Sequence, residues 1–137
     1  MASQKIIRRI ISSSLSPTPV GPYNQAVLVD RTLYLSGVLG SDVQTKKLVE
    51  GGAAAEAHQA LVNMGNILKE AGSDYDRVIK TTIFLQNMND FGAVNEIYKK
   101  FFKGNYPARS TFQVAKLPME AQFEIEAIAV TGEMETL

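Results

Sequence analysis

The sequence contains no cysteine, no tryptophan and a single histidine, His58. Without thiols there is no disulfide, thiolate nucleophile, iron–sulfur cluster or Cys-based zinc site. One imidazole rules out a His₂ or His₃ metal site built within one chain. Net charge is equally scarce: fourteen basic residues balance fourteen acidic ones, a formal charge of +0. That balance gives no long-range attraction to nucleic acid or to an anionic membrane. No apolar run approaches the roughly eighteen residues of a membrane span. The segment Met1–Ile11 mixes Arg pairs with Ile pairs and lacks a continuous stretch of signal-peptide length. The default expectation is a cytoplasmic protein, with an organellar pool left open.

What is present is ordinary globular composition. The chain has 137 residues, 45% of them apolar and 20% charged, which suits one domain over residues 1–137. Any chemistry must come from carboxylates, hydroxyls, amides, Arg, Lys and backbone groups.

Hydrophobic periodicity gives the order of elements. Residues 5–11 are rich in Ile and read as a strand. Ser12–Pro22, dense in Ser and Pro, is a loop. Strands at 25–29 and 32–36 are separated only by Asp30 and Arg31, the spacing of a hairpin. A glycine-containing connection is expected from 37 to 52. Ala57, Ala60, Leu61, Met64, Ile67, Leu68 and Ala71 recur at i, i+3, i+4, i+7 and predict a helix over 53–71, stopped by Gly72. A strand follows at 78–85, with Ile79, Ile83 and Leu85 on one face and Val78 and Phe84 on the other. Asn89 is the expected N-cap of a second helix reaching Phe102. Strands at 109–115 and 122–130 complete the chain. The order β-β-β-α-β-α-β-β predicts an α+β fold, one mixed sheet with two helices on one face.

The last strand places Phe123, Ile125, Ala127 and Ala129 on one face and Glu124, Glu126, Ile128 and Val130 on the other. Two helices cover only one face of a sheet. The second is too apolar for water alone, so copies of the same chain are expected to cover it.

Several residues are suited to chemistry. Arg109 follows Tyr106–Pro107–Ala108 at the start of a strand and shares a side with Thr111 and Gln113. A guanidinium matches a carboxylate through two parallel charge-assisted hydrogen bonds, although a strand-end Arg serves equally in an ion pair. Glu124, on the half-apolar face, suits a general base or a water-positioning group. Glu126 competes with it for either role. Tyr23 ends the Ser/Pro loop where a phenol can reach a pocket rim or simply pack. Ser36–Gly37 closes a strand where backbone can approach a ligand. Asn95 on the second helix can hydrogen-bond a ligand or face water. His58 reads as a helix-flank residue, and Gly51–Gly52 carries no phosphate-binding motif.

The segment Pro107–Ala108–Arg109–Ser110–Thr111–Phe112–Gln113–Val114–Ala115–Lys116–Leu117–Pro118 and the run Phe123–Glu124–Ile125–Glu126–Ala127 resemble the reactive-intermediate deaminase family, also called YjgF/UK114. Gly21–Pro22–Tyr23–Asn24–Gln25–Ala26, Ser36–Gly37, Lys80–Thr81–Thr82, Asn89–Asp90–Phe91 and Val94–Asn95 support the resemblance. It spans about Ile6 to Gly132. It implies a chorismate-mutase-like fold, a homotrimer and active sites between subunits. The implied reaction is hydrolysis of 2-imino or 2-enamino acids, such as 2-aminoacrylate released by pyridoxal-phosphate enzymes, to 2-oxo acids and ammonia. It needs no cofactor and no metal. Arg109 matches the family's carboxylate-binding arginine and Glu124 its water-activating glutamate. Tyr23, Ser36, Gly37, Asn95 and Thr111 match substrate-binding positions. Two departures stand out: Thr111 where Cys is frequent, and Val38 where Gln is frequent. A translation-inhibiting ribonuclease and a chaperone-like binding module are the alternatives. The first is disfavoured by the lack of a His pair and of basic surplus, and Lys99, Lys100 and Lys103 read as a solvated face.

Overall fold

A computed structural model describes residues 4–137. Met1–Ser3, the head of the segment read as lacking a leader, lie outside the described residues. The strands are β1 (Arg8–Ile11), β2 (Ala26–Val29), β3 (Thr32–Leu39), β4 (Val78–Leu85), β5 (Ala108–Gln113) and β6 (Phe123–Val130); the helices are α1 (Gly52–Glu70) and α2 (Phe91–Phe101). The predicted order of elements holds. One six-stranded sheet runs β1-β2-β3-β6-β4-β5. Only β4 and β5 are parallel, joined through α2, and the other neighbours are antiparallel, so the sheet is mixed.

The β2–β3 hairpin turns through Asp30 at φ 52 and Arg31. An Asp tolerates that left-handed conformation better than most side chains. Helix α1 buries the predicted stripe, with Leu61, Met64 and Leu68 fully enclosed. Each such side chain contributes about 1.5–3 kcal/mol on burial. Its C-terminus is closed by Gly72 at φ 81: Gly72 N–H donates to the Lys69 carbonyl and Ser73 N–H to the Leu68 carbonyl. This Schellman arrangement satisfies carbonyls the helix leaves unpaired.

α1 packs on β3 and β6 and against α2. The core therefore lies between the helices and one sheet face, where Leu33, Leu35, Val38, Ile83, Leu85, Phe123, Ile125, Ala127 and Ala129 are buried. The opposite face is open in the single chain. It carries Tyr34 and Phe112, 49% and 53% exposed, with partly buried Phe84, Ile128 and Val130.

Five expectations are corrected. The first strand begins at Arg8 rather than residue 5, because pairing with β2 starts there. β3 continues to Leu39 instead of stopping at Ser36. A bulge between Leu35 and Val38 absorbs Gly37 and keeps both flanking side chains in the core. β5 spans 108–113, leaving Val114 and Ala115 outside it. In β4, Val78 faces the core and Ile79 is exposed, opposite to the predicted alternation at that end. A second register shift, between Val78 and Lys80, resets the parity. Asn89 does not cap α2. Asn87 accepts from Asn89 N–H at 2.8 Å and opens a short 3₁₀ turn (Met88–Asp90) that leads into the helix.

Candidate active site

Arg109 starts β5 on the helix-covered face, opposite Thr81 of β4. Three residues of α2 meet it. Phe91, Asn95 and Tyr98 stand at i, i+4 and i+7, so they form one stripe along the helix. The Arg109 Nη2–H donates to Asn95 Oδ1 at 2.8 Å. The guanidinium carbon lies 4.8 Å from the Tyr98 ring centre and 5.6 Å from that of Phe91. No carboxylate forms a salt bridge with Arg109 among the described residues. A half-buried guanidinium with its orientation fixed and no counter-anion is suited to take a carboxylate. A cleft of about 420 Å³ opens beside it, bordered by Asn95, Tyr98, Tyr106 and Pro107.

Tyr98 is itself fixed. Its hydroxyl is 2.8 Å from Thr81 Oγ1, and its ring stacks on Phe102 at 4.4 Å. Burial raises its phenol above the ordinary value, opposed by the Thr81 hydrogen bond and the Arg109 charge. Thr111, two residues along β5 on the same face, has a buried Oγ1 without a hydrogen-bond partner.

The other predicted residues gather elsewhere. Tyr23, Ser36 and Gly37 line a cavity of about 90 Å³ under the Ser/Pro loop, with Val38, Ile67 and Met119 as apolar wall. Gln25 ties that loop down: its Oε1 accepts from Ser13 N–H at 2.7 Å, and its Nε2–H₂ donates to the Ser13 and Pro17 carbonyls. Ser36 Oγ–H donates to the Asn24 carbonyl at 2.6 Å. Glu124 stands on the open face of β6 between Leu39 and Phe84. Its carboxyl lies directly over Gly37, where a Cβ would sit 2.7 Å from the carboxyl carbon. Only glycine leaves that space. Burial pushes the Glu124 carboxyl above its ordinary value, and the neighbouring Glu126 charge pushes the same way.

The predicted residues thus form two groups, Arg109 with Asn95 and Glu124 with Gly37. Arg109 belongs to the helix-covered face and Glu124 to the open one. Their backbones are separated by two strand spacings and three residues of rise, roughly 14 Å. Within one chain they do not converge. His58 is exposed and edge-on to Phe101 at 5.2 Å, a packing position. Glu126, the competitor of Glu124, points to the same open face opposite Thr82.

The sequence reading placed Phe91 and Gln25 in family-like segments without giving either a role, and missed Tyr98. Phe91 and Tyr98 were legible as an i, i+4, i+7 series with Asn95. Gln25 carried no pattern, since its role is to satisfy carbonyls of a distant loop. Among the described residues, no cluster of three or more His, Asp or Glu could hold a metal ion, and no helix is long and apolar enough to cross a membrane.

Comparison with known proteins supplies the lineage. Residues 13–131 match the model of a family described as Endoribonuclease L-PSP. A human relative named 2-iminobutanoate/2-iminopropanoate deaminase is 56% identical over 131 residues, covering 96% of each chain. The Drosophila melanogaster RutC family protein UK114 is 57% identical over 131 residues, covering 96% of this chain and 95% of its own. The crystal structure of E. coli TdcF with bound serine superposes with a TM-score of 0.86 at 36% identity, over 90% of this chain and 99% of TdcF. The chain belongs to the Endoribonuclease L-PSP family, the reactive-intermediate deaminase or YjgF/UK114 group that its Pro107–Pro118 and Phe123–Ala127 segments resemble.

Proposed function

We propose that this protein hydrolyses 2-imino and 2-enamino acids to 2-oxo acids and ammonia, in active sites that form between chains of a homotrimer. The observation that carries this reading is the oriented, anion-free guanidinium of Arg109. The substrate presents a carboxylate on the carbon next to C=N, the one group such a fork holds bidentately. The name of the human relative, and the serine bound to TdcF, support a small amino-acid-like ligand.

In this reading Arg109 and Asn95 anchor the carboxylate and set the plane of the imine. Glu124 of a neighbouring chain holds a water over the imine carbon and takes its proton as the C–O bond forms. The raised carboxyl pKa suits that exchange, because the same group must return a proton to nitrogen. In the tetrahedral carbinolamine the hydroxyl proton then passes through the Glu124 carboxyl to nitrogen, the C–N bond breaks, ammonia leaves and the carbonyl forms. Ser36, Gly37, Tyr23 and Thr111 line the substrate, with backbone groups at Gly37 close enough to approach it.

The separation of Arg109 and Glu124 within one chain supports a site shared between chains. The open sheet face, with Tyr34, Phe84, Phe112, Ile128 and Val130, supplies an apolar surface for the contact.

The test is ammonia release from 2-iminobutanoate generated in situ by an amino acid oxidase. The native protein accelerates release over water. Arg109→Ala loses at least about 100-fold of kcat/KM, the scale of a lost positioned charge contact. Equal rates for native and Arg109→Ala proteins would refute the assignment.

A further inference from the structure

Arg109 acts in the proposed reaction only if its guanidinium keeps one orientation, and its own strand does little to fix it. β5 is the sheet edge, paired only with β4. An arginine side chain has four rotatable bonds and about 2 kcal/mol of rotamer entropy to lose on being held. The restraint comes from α2. The Phe91–Asn95–Tyr98 stripe meets the guanidinium with two rings and one amide oxygen. The Tyr98 ring is in turn pinned at its far end. Its hydroxyl pairs with Thr81 Oγ1, and Thr81 is the β4 residue registered against Arg109. The strand that sets the height of the Arg109 backbone therefore also sets the height of the ring beneath its head group.

We propose that Tyr98, assisted by Phe91, is a positioning residue: it holds the Arg109 guanidinium in the orientation that receives the substrate carboxylate. The inference rests on the carboxylate-binding role given to Arg109 above. Neither ring needs to touch the substrate. Their effect is to remove orientations of Arg109 before the ligand arrives, which improves affinity by lowering the ordering cost of binding. The two aromatic residues differ usefully. Tyr98 is a core residue, 5% exposed, whereas Phe91 lies at the surface. Losing Tyr98 disturbs packing as well as Arg109; losing Phe91 disturbs mainly the guanidinium.

The experiment measures affinity for 2-oxobutanoate, the stable carboxylate product, by titration calorimetry, with thermal midpoints recorded for every variant. Phe91→Leu is expected to weaken binding about threefold and Tyr98→Leu about tenfold, the range of cation–π contacts from exposed to desolvated sites. Tyr98→Phe keeps the ring, loses the tie to Thr81, and falls between native and Tyr98→Leu. The decisive arm is a double-mutant cycle with Arg109→Gln. Glutamine has no cation to hold over a ring, so in that background Phe91→Leu and Tyr98→Leu each change affinity by less than about twofold. If Tyr98→Leu fails to fold, the Phe91→Leu cycle carries the test. Full effects persisting in the Arg109→Gln background would mean the rings act independently, and would overturn the inference alone. Unchanged affinity in Arg109→Gln itself would overturn the parent reading and the inference with it.

Discussion

Glu124 shows how much one residue's setting can decide. Two carboxylates, Glu124 and Glu126, alternate along β6 on the same open face. Burial is the larger cause of Glu124's raised pKa, and the Glu126 charge is the second. The sign matters for activity. In the proposed reaction Glu124 must be ionised to take a proton from water, so the rate is expected to fall as pH falls through its raised pKa. The acidic limb of the kcat/KM profile therefore lies at higher pH than an ordinary glutamate would place it. Glu126→Gln removes one of the two causes. The limb is expected to move to lower pH while the plateau stays close to native, and Glu126→Asp is expected to keep the limb nearer its native position. A pH–rate profile of the three proteins checks this, and a limb that ignores the Glu126 charge would assign the titration to another group. The sequence alone could not rank the two glutamates. The ranking comes from Gly37, whose missing Cβ leaves the space that the Glu124 carboxyl occupies.

At the scale of elements, regular segments were legible and irregular ones were not. The α1 stripe and the Gly72 stop were read correctly because a helix announces itself every third or fourth residue. The β6 alternation was equally clear. Two of the five corrections sit at bulges. A bulge adds a residue without changing composition, so it shifts every later side chain to the other face unannounced. Val78 and Ile79 exchange places for that reason, and β3 survives Gly37 for the same one. Arg109, Asn95, Gly37 and Glu124 were named as candidates from sequence and Tyr98 was not, and the division of the candidates between two sheet faces became plain only from strand register. Just beyond β3, Gly40 offers a further element-scale test. A Cβ there would fall on the backbone of Glu56 in α1, while Glu56 Oε1 accepts from Gln122 N–H at 2.8 Å beside the start of β6. Backbone cannot yield as a flexible side chain can. Gly40→Ala is expected to cost about 1–3 kcal/mol through overpacking at this junction. Gly92→Ala, at an open position in α2, is expected to be neutral or stabilising by up to about 1 kcal/mol. Urea unfolding of both variants measures the contrast.

At the scale of the whole molecule, the sheet has one face sealed by helices and one open in the single chain. The two halves of the candidate site fall on opposite sides of that division. A site assembled between chains makes a prediction that a site within one chain cannot. Arg109→Ala retains an intact Glu124 half, and Glu124→Gln retains an intact Arg109 half. Each variant alone is expected to be nearly inactive. When the two are co-expressed in equal amounts, chains assort at random into trimers. A contact then holds two intact halves when the Arg109→Ala chain supplies the glutamate side and the Glu124→Gln chain the arginine side. For random assortment this occurs at about one contact in four, so about a quarter of native activity should return. Ammonia release from the purified mixture, with hetero-oligomers identified by two different affinity tags, gives the measurement. Recovery depends on the two variants sharing an oligomer, because separately purified proteins mixed without subunit exchange should stay inactive. If the tagged hetero-oligomers form and remain inactive, Arg109 and Glu124 do not complete one site across an interface, and the open face would have to be explained by assembly alone.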